Sequence, residues 1–376
     1  MKAPSQQFSQ PSWRIANASV EAFVTVKGGH LAPVTFRVGS RRVQPFAIAP
    51  WHDERPRGIP PILEVLRGDF FCLPFGGNEQ AYRGERHPPH GETANRRWSL
   101  IASAGGHLHL RLRPRIRGGQ VDKHVWVRPG ETAVYQRHVI RGATGPMNPG
   151  HHATLRFPDR PGCALISTSP QAWGEVSPRA LEDPGRGGYS CLQAGARFKS
   201  LARVPTADGG TADLSAYPAR RGFEDLVMLV GQPRRRLGWT AVACPREGYV
   251  WFALKDPRVL TNTVLWHSNG GRHYPPWNGR HLNTLGLEEV TAYFHYGLAE
   301  SAAPNPVSRR GGVTCLRLSP RQPLVVNYIM AVAAIPRGFD HVKSITPSAD
   351  RRHVRLVSRS GRTVTTALDV GFLHSS

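Results

Sequence analysis

An all-β chain, a large two-sheet antiparallel β-sandwich, is the fold class that three observations predict. Gly (39) and Pro (33) make up roughly a fifth of the 376 residues and are spread throughout, which is the punctuation of many short strands and turns. Apolar/polar alternation with period two recurs along the chain, and long apolar helical stretches are absent. With 40% apolar and 9% aromatic residues, the chain has the material for a large core and lies outside the range of disordered sequences.

In chain order, residues 1–17 read as a loose N-terminal tail. Residues 18–376 read as one domain, because no linker divides them. Alternation begins at Val20, Phe23 and Val26 and continues through 33–38 and 43–48. Residues 107–113 alternate strictly: Leu108, Leu110 and Leu112 face a core, while His107, His109, Arg111 and Arg113 face solvent. Further half-buried strands are predicted over 133–140, 250–254, 264–266 and 354–357. Between about 160 and 215 the chain is rich in Pro, Gly and Ser, as a long excursion or as short strands with loops. Phe223–Val230 returns to a buried strand and carries two acids near its start.

The net charge of +23 comes almost wholly from arginine, since Lys occurs six times among 49 basic residues. Arg forks suit phosphate, but a G- and C-rich coding sequence also favours Arg together with Ala, Gly and Pro. The basic residues are dispersed, with short runs only at 111–117, 234–236 and 351–352, and no nucleic-acid motif accompanies them. Nucleic acid is therefore not an expected partner. The five cysteines are widely spaced with no CxxC pair, so neither a metal site nor a redox pair is expected, and reduced thiols are. No apolar run reaches membrane-spanning length and the N-terminus is polar, so no membrane association and a cytoplasmic location are expected.

Candidate chemistry lies in four short stretches. In His90-Gly91-Glu92-Thr93-Ala94-Asn95 with Trp98, an imidazole sits beside an amide and a large ring, the groups a sugar site uses. His151 and His152 follow a turn, and on a strand only one of them enters a given cleft. Residues 266–280 form the richest polar-aromatic stretch. Trp266 and Trp277 are stacking candidates there, and Asn269, Arg272 and Asn278 are potential donors to hydroxyls. In Leu285-Gly286-Leu287-Glu288-Glu289 one carboxylate points inward, and an unpartnered buried carboxylate is costly enough to suggest a role.

Taken in series, these motifs resemble the aldose 1-epimerase (galactose mutarotase) family and its wider group of mutarotase-like sugar-binding proteins. The resemblance covers roughly residues 20–300. It runs from Gly28-Gly29-His30-Leu31-Ala32-Pro33 and Leu73-Pro74-Phe75-Gly76, through His90-Gly91 with Trp98 and Gly150-His151-His152, to Leu287-Glu288. It implies the family's supersandwich with a cleft on one concave face. His90 and His152 match the two histidines, and Glu288, or Glu289 beside it, matches the base. The sugar-binding Asp falls on Asp225, with Glu224 the other choice, and Asn95, Trp266, Asn269, Arg272 and Trp277 complete the expected sugar contacts. Departures are Ala153-Thr154-Leu155 after His152, Glu289 where a Pro usually follows the base, and Gly76-Gly77-Asn78 where an Arg is usual, with Arg67 and Arg83 nearby.

The implied function is interconversion of the α and β anomers of a monosaccharide, with ionised Glu288 as base and protonated His152 as acid. No cofactor and no metal are expected. The alternatives are a non-catalytic carbohydrate-binding protein on the same fold, or a mutarotase for a phosphorylated hexose that Arg272 or Arg280 would clamp.

Overall fold

The computed structural model describes residues 3–54 and 56–375. Two large antiparallel sheets lie face to face, as the alternation predicts. The nine-stranded sheet runs, in spatial order, Ala216–Tyr217, Ala164–Thr168, Gly238–Cys244, Tyr249–Lys255, Leu324–Ala334, Ala133–Arg141, Gln120–Trp126, His107–Leu112 and Ser99–Ala104. The seven-stranded sheet runs Arg197–Phe198, Trp173–Val176, Phe223–Val230, Asn262–Asn269, Thr284–Val290, Gly150–Arg156 and Phe71–Cys72.

Period two divides the side chains of the seven-stranded sheet between two cores. Val227, Leu265, Leu285 and Leu287 face the nine-stranded sheet, where they meet Val242, Trp251 and Met330. Leu226, Met228, Val264 and Trp266 face the other way and pack with Trp51, Ile62, Phe70 and Trp277. A third core lies between the outer face of the nine-stranded sheet and a three-stranded sheet, Val342–Pro347, His353–Ser358 and Thr363–Ala367. The leucines predicted inward, Leu108, Leu110 and Leu112, are buried. Burying each such side chain contributes about 1.5–3 kcal/mol. The opposite face of that strand is only half open: His109 and Arg111 both bond Asp122 Oδ1 at 2.8 Å, and His109 stacks on His124.

The predicted tail is not loose. Ser5–Gln7 and Gln10–Ala16 begin a five-stranded antiparallel sheet with Val20–Thr25, Leu31–Val38 and Arg41–Val43. Trp13 and Ile15 alternate into the main core, and the Arg67 guanidinium donates to the Gln7 and Phe8 carbonyls at 2.9 and 3.0 Å. Between 160 and 215 the chain forms short strands and loops. Among the described residues no helix is long and apolar enough to cross a membrane.

Candidate active site

Strand register builds the site. In Gly150–Arg156 paired with Thr284–Val290, His152 stands directly opposite Glu288, and His151 opposite Glu289. Adjacent strand residues point to opposite faces, so the pair His152/Glu288 emerges on the outer face of the seven-stranded sheet while His151 and Glu289 enter the space between sheets. His152 Nε2 lies 3.2 Å from Glu288 Oε1, and both side chains are buried. One strand further on, Trp266 lies opposite Gly286. A Cβ on Gly286 would stand 2.7 Å from Glu288 Oε1 and 3.0 Å from Trp266 Cβ, so this glycine makes room for both.

His90 arrives from a loop. Gly91, at φ 75°, lets the backbone pass the Leu73 carbonyl so closely that a Cβ would sit 2.1 Å from that oxygen. His90 is thereby set edge-on to His152, with ring centroids 5.1 Å apart, and its Nδ1 lies 3.4 Å from the Cys72 thiol. Phe70 stacks on the other ring, 4.4 Å from His152.

These groups line a cavity of about 250 Å³ that also takes in Trp266, Arg272, Trp277 and His295. The Arg272 guanidinium lies over Trp277 and Trp266, 4.5 and 5.3 Å from their centroids, and its Nε holds Glu182 Oε1 at 2.6 Å. His281 also stacks on Trp266, so these rings enter the wall already partnered. Behind them Glu224 is fully buried, accepting from Trp266 Nε1 and Ser268 Oγ at 2.9 Å each, with Arg272 Nε 4.0 Å away.

Burial governs the protonation of the site. It raises Glu288 well above the carboxylate range, against the weaker pull of Arg272, and it drops His152 well below the histidine range with the help of His90. Both shifts favour the uncharged forms, a Glu288 carboxylic acid beside a neutral His152 imidazole, over the expected ionised Glu288 and protonated His152. His90 is likewise kept neutral by burial, then by His295. Burial lifts Glu224 to about 7, although Arg272 opposes it.

Of the nine residues singled out in the sequence, His90, His152, Trp266, Arg272, Trp277 and Glu288 converge on the cavity. Asn95, Asp225 and Asn269 do not. Asn95 donates to the Pro89 and Gly91 carbonyls and so braces the His90 loop. Asp225 has the opposite strand parity to Glu224, and its Oδ1 accepts from the Cys191 and Leu192 amides at 3.0 Å. Asn269 ties Ala219 to Asn283. Neither Arg67 nor Arg83 lines the cavity. Sequence reasoning missed Phe70, His295, Glu182 and an apolar wall at 60–66. The aromatic run 293–296 was a usable signal for His295; the others carry no local pattern.

No protein-family model matches the sequence, and no curated protein does. Solved structures do share its fold. A protein of Escherichia coli K12, described provisionally as an aldose 1-epimerase, superposes with a TM-score of 0.59 at 14% identity, covering 87% of this chain and all of that one. A galactose mutarotase related enzyme from Lactobacillus acidophilus gives 0.54 at 11%, covering 86% and 97%. A galactose mutarotase-like protein from Clostridium acetobutylicum gives 0.54 at 11%, covering 89% and 98%. The class is thus the galactose mutarotase-like β-sandwich. At these identities the likeness is one of fold, and it extends over most of both chains.

Proposed function

We propose that the protein is a monosaccharide anomerase of the aldose 1-epimerase type, with His152 and Glu288 as its acid–base pair and His90 as a donor beside them. The observation that carries this reading is the 3.2 Å contact between two oppositely shifted groups at the floor of a cavity. A pair that shares one proton presents a donor and an acceptor at once. One member gives its proton to the ring oxygen O5 while the other takes the proton of the anomeric hydroxyl. The C1–O5 bond breaks, its electrons form the new O5–H bond, and C1=O1 forms from the former hydroxyl. The aldehyde turns about C1–C2 and the steps reverse on the other face. The proton count is unchanged, and nothing is oxidised or reduced. Each such proton transfer is worth about a hundredfold or more. The Cys72 thiol, kept protonated by burial, lies 3.4 Å from His90 Nδ1 and so helps to hold the His90 ring in place beside the pair.

A neutral sugar is favoured over a sugar phosphate. Arg272 is already paired with Glu182 and lies near Glu224, and Arg280 donates to Glu54. A phosphate would have to displace those carboxylates.

The test is polarimetry of freshly dissolved pure anomers. Wild-type protein accelerates the rotation change, and Glu288→Gln loses at least about a hundredfold of that acceleration while sugar affinity shifts far less. Wild-type protein that binds sugars and never accelerates the change would instead be a carbohydrate-binding protein on this fold.

A further inference from the structure

The chemical character of the cavity changes from floor to mouth. His152 and Glu288 at the floor are 5% and 2% exposed. The wall above them contains Ile62, Leu66 and Leu226, all buried. At the mouth stand Pro60, which is exposed, and Leu63 and Leu181, which are half-buried. The short helix Pro61–Val65 carries Ile62 and Leu63 into this wall, and Pro60 and Leu66 flank it. Among the described residues no hydroxyl- or aliphatic amide-bearing side chain lines the cavity, and its polar groups are the His, Arg and Glu side chains already described and the indole N–H groups of Trp266, which is committed to Glu224, and Trp277.

A hexose bound with its anomeric carbon at the floor turns its far end, C4 to C6, toward that wall. A hydroxyl pressed against the buried side chains Ile62, Leu66 or Leu226 loses its water and finds no polar side chain among them, which opposes binding. A methyl group or other apolar substituent at the same place gains contact instead. The cavity volume of about 250 Å³ lies just below the roughly 300–1,000 Å³ usual for small-molecule sites and fits a single ring better than a disaccharide.

We infer that the substrate is a monosaccharide whose end distal to the anomeric carbon is apolar, with 6-deoxyhexoses the simplest members of the class. This inference rests on the anomerase reading for its orientation of the ring. Apolar wall contacts of this kind discriminate by roughly tenfold to two-hundredfold per group.

The experiment compares matched pairs that differ only at C6: D-galactose with 6-deoxy-D-galactose, D-glucose with 6-deoxy-D-glucose, and L-mannose with 6-deoxy-L-mannose. Mutarotation is followed by polarimetry and binding by tryptophan fluorescence. The expected result is a kcat/KM at least about tenfold higher for the deoxy member of at least one pair. Leu63→Asn or Leu181→Asn at the mouth then narrows that ratio. Equal or better turnover of the hydroxylated member in every pair overturns the inference and leaves the anomerase reading intact. Preferential binding of deoxy sugars without any acceleration overturns the anomerase reading and supports the ligand class. Absence of binding by every sugar overturns both.

Discussion

Glu288 and Glu289 are neighbours on one strand, and their contrast explains more of this molecule than either does alone. Glu289 faces the space between the sheets. There it forms an ion pair with Lys255 and accepts from Thr240 and, at 2.7 Å, from Thr263. Lys255 in turn donates to the Asn262 carbonyl at 2.6 Å. Glu288 faces the cavity, where His152 is its close polar partner among the described residues and Arg272 acts through its charge. The same residue type, equally buried, is saturated on one face and left short of partners on the other. A buried group without its full set of partners is costly, and it persists where its shifted proton affinity is used.

That contrast can be broken in order of expected effect. Lys255→Met strands Glu289 in the core, and denaturant melts should show a loss of about 3–5 kcal/mol, while turnover per folded molecule stays near wild type. If stability is unchanged, the inter-sheet pair is not the support described. Gly286→Ala acts on the cavity face: its Cβ, 2.7 Å from Glu288 Oε1, must push the carboxyl off His152. A displacement of about 1 Å costs up to a hundredfold in rate, so turnover should fall at least about tenfold. The pH profile is the gentlest test. The pair fails when it gains a second proton or loses its only one. Burial lowers His152, so the acid limb of kcat/KM should lie below the ordinary histidine value of about 6.5. Burial raises Glu288, so the other limb should lie well above the ordinary carboxylate value of about 4.3. An inflection of the acid limb at about 6.5 would show that an ordinary histidine is in control.

The sandwich was legible because period two survives in the sequence: Leu108, Leu110 and Leu112 alternate as the strand requires, and His151 and His152 were expected to part between faces, as they do. Parity alone does not say which face is which. Asp225, the first choice, turns away from the cavity face, whereas Glu224, the other choice, turns toward Arg272 behind the wall, and the pairing of Glu224 with Ser268 shows which is which. Asn95 was recognised as close to His90 but not as its brace, because a hydrogen bond to one's own loop leaves no mark in composition. The N-terminal strands were hidden by their polar outer residues, although Trp13 and Ile15 keep the alternation. The apolar wall at 60–66 was invisible for another reason: a five-residue helix that begins on Pro61, directly after Pro60, carries no period long enough to read.

The most direct test sets the two glutamates side by side. Glu288→Gln and Glu289→Gln are each measured for melting temperature and for acceleration of mutarotation on one sugar that the wild-type protein turns over. Glu288→Gln should keep the wild-type melting temperature and lose at least about a hundredfold in rate. Glu289→Gln should melt several degrees lower and keep its rate when folded. The reverse pattern, with Glu288→Gln active and Glu289→Gln stable but inactive, would contradict the division of the sheet into a structural and a chemical face.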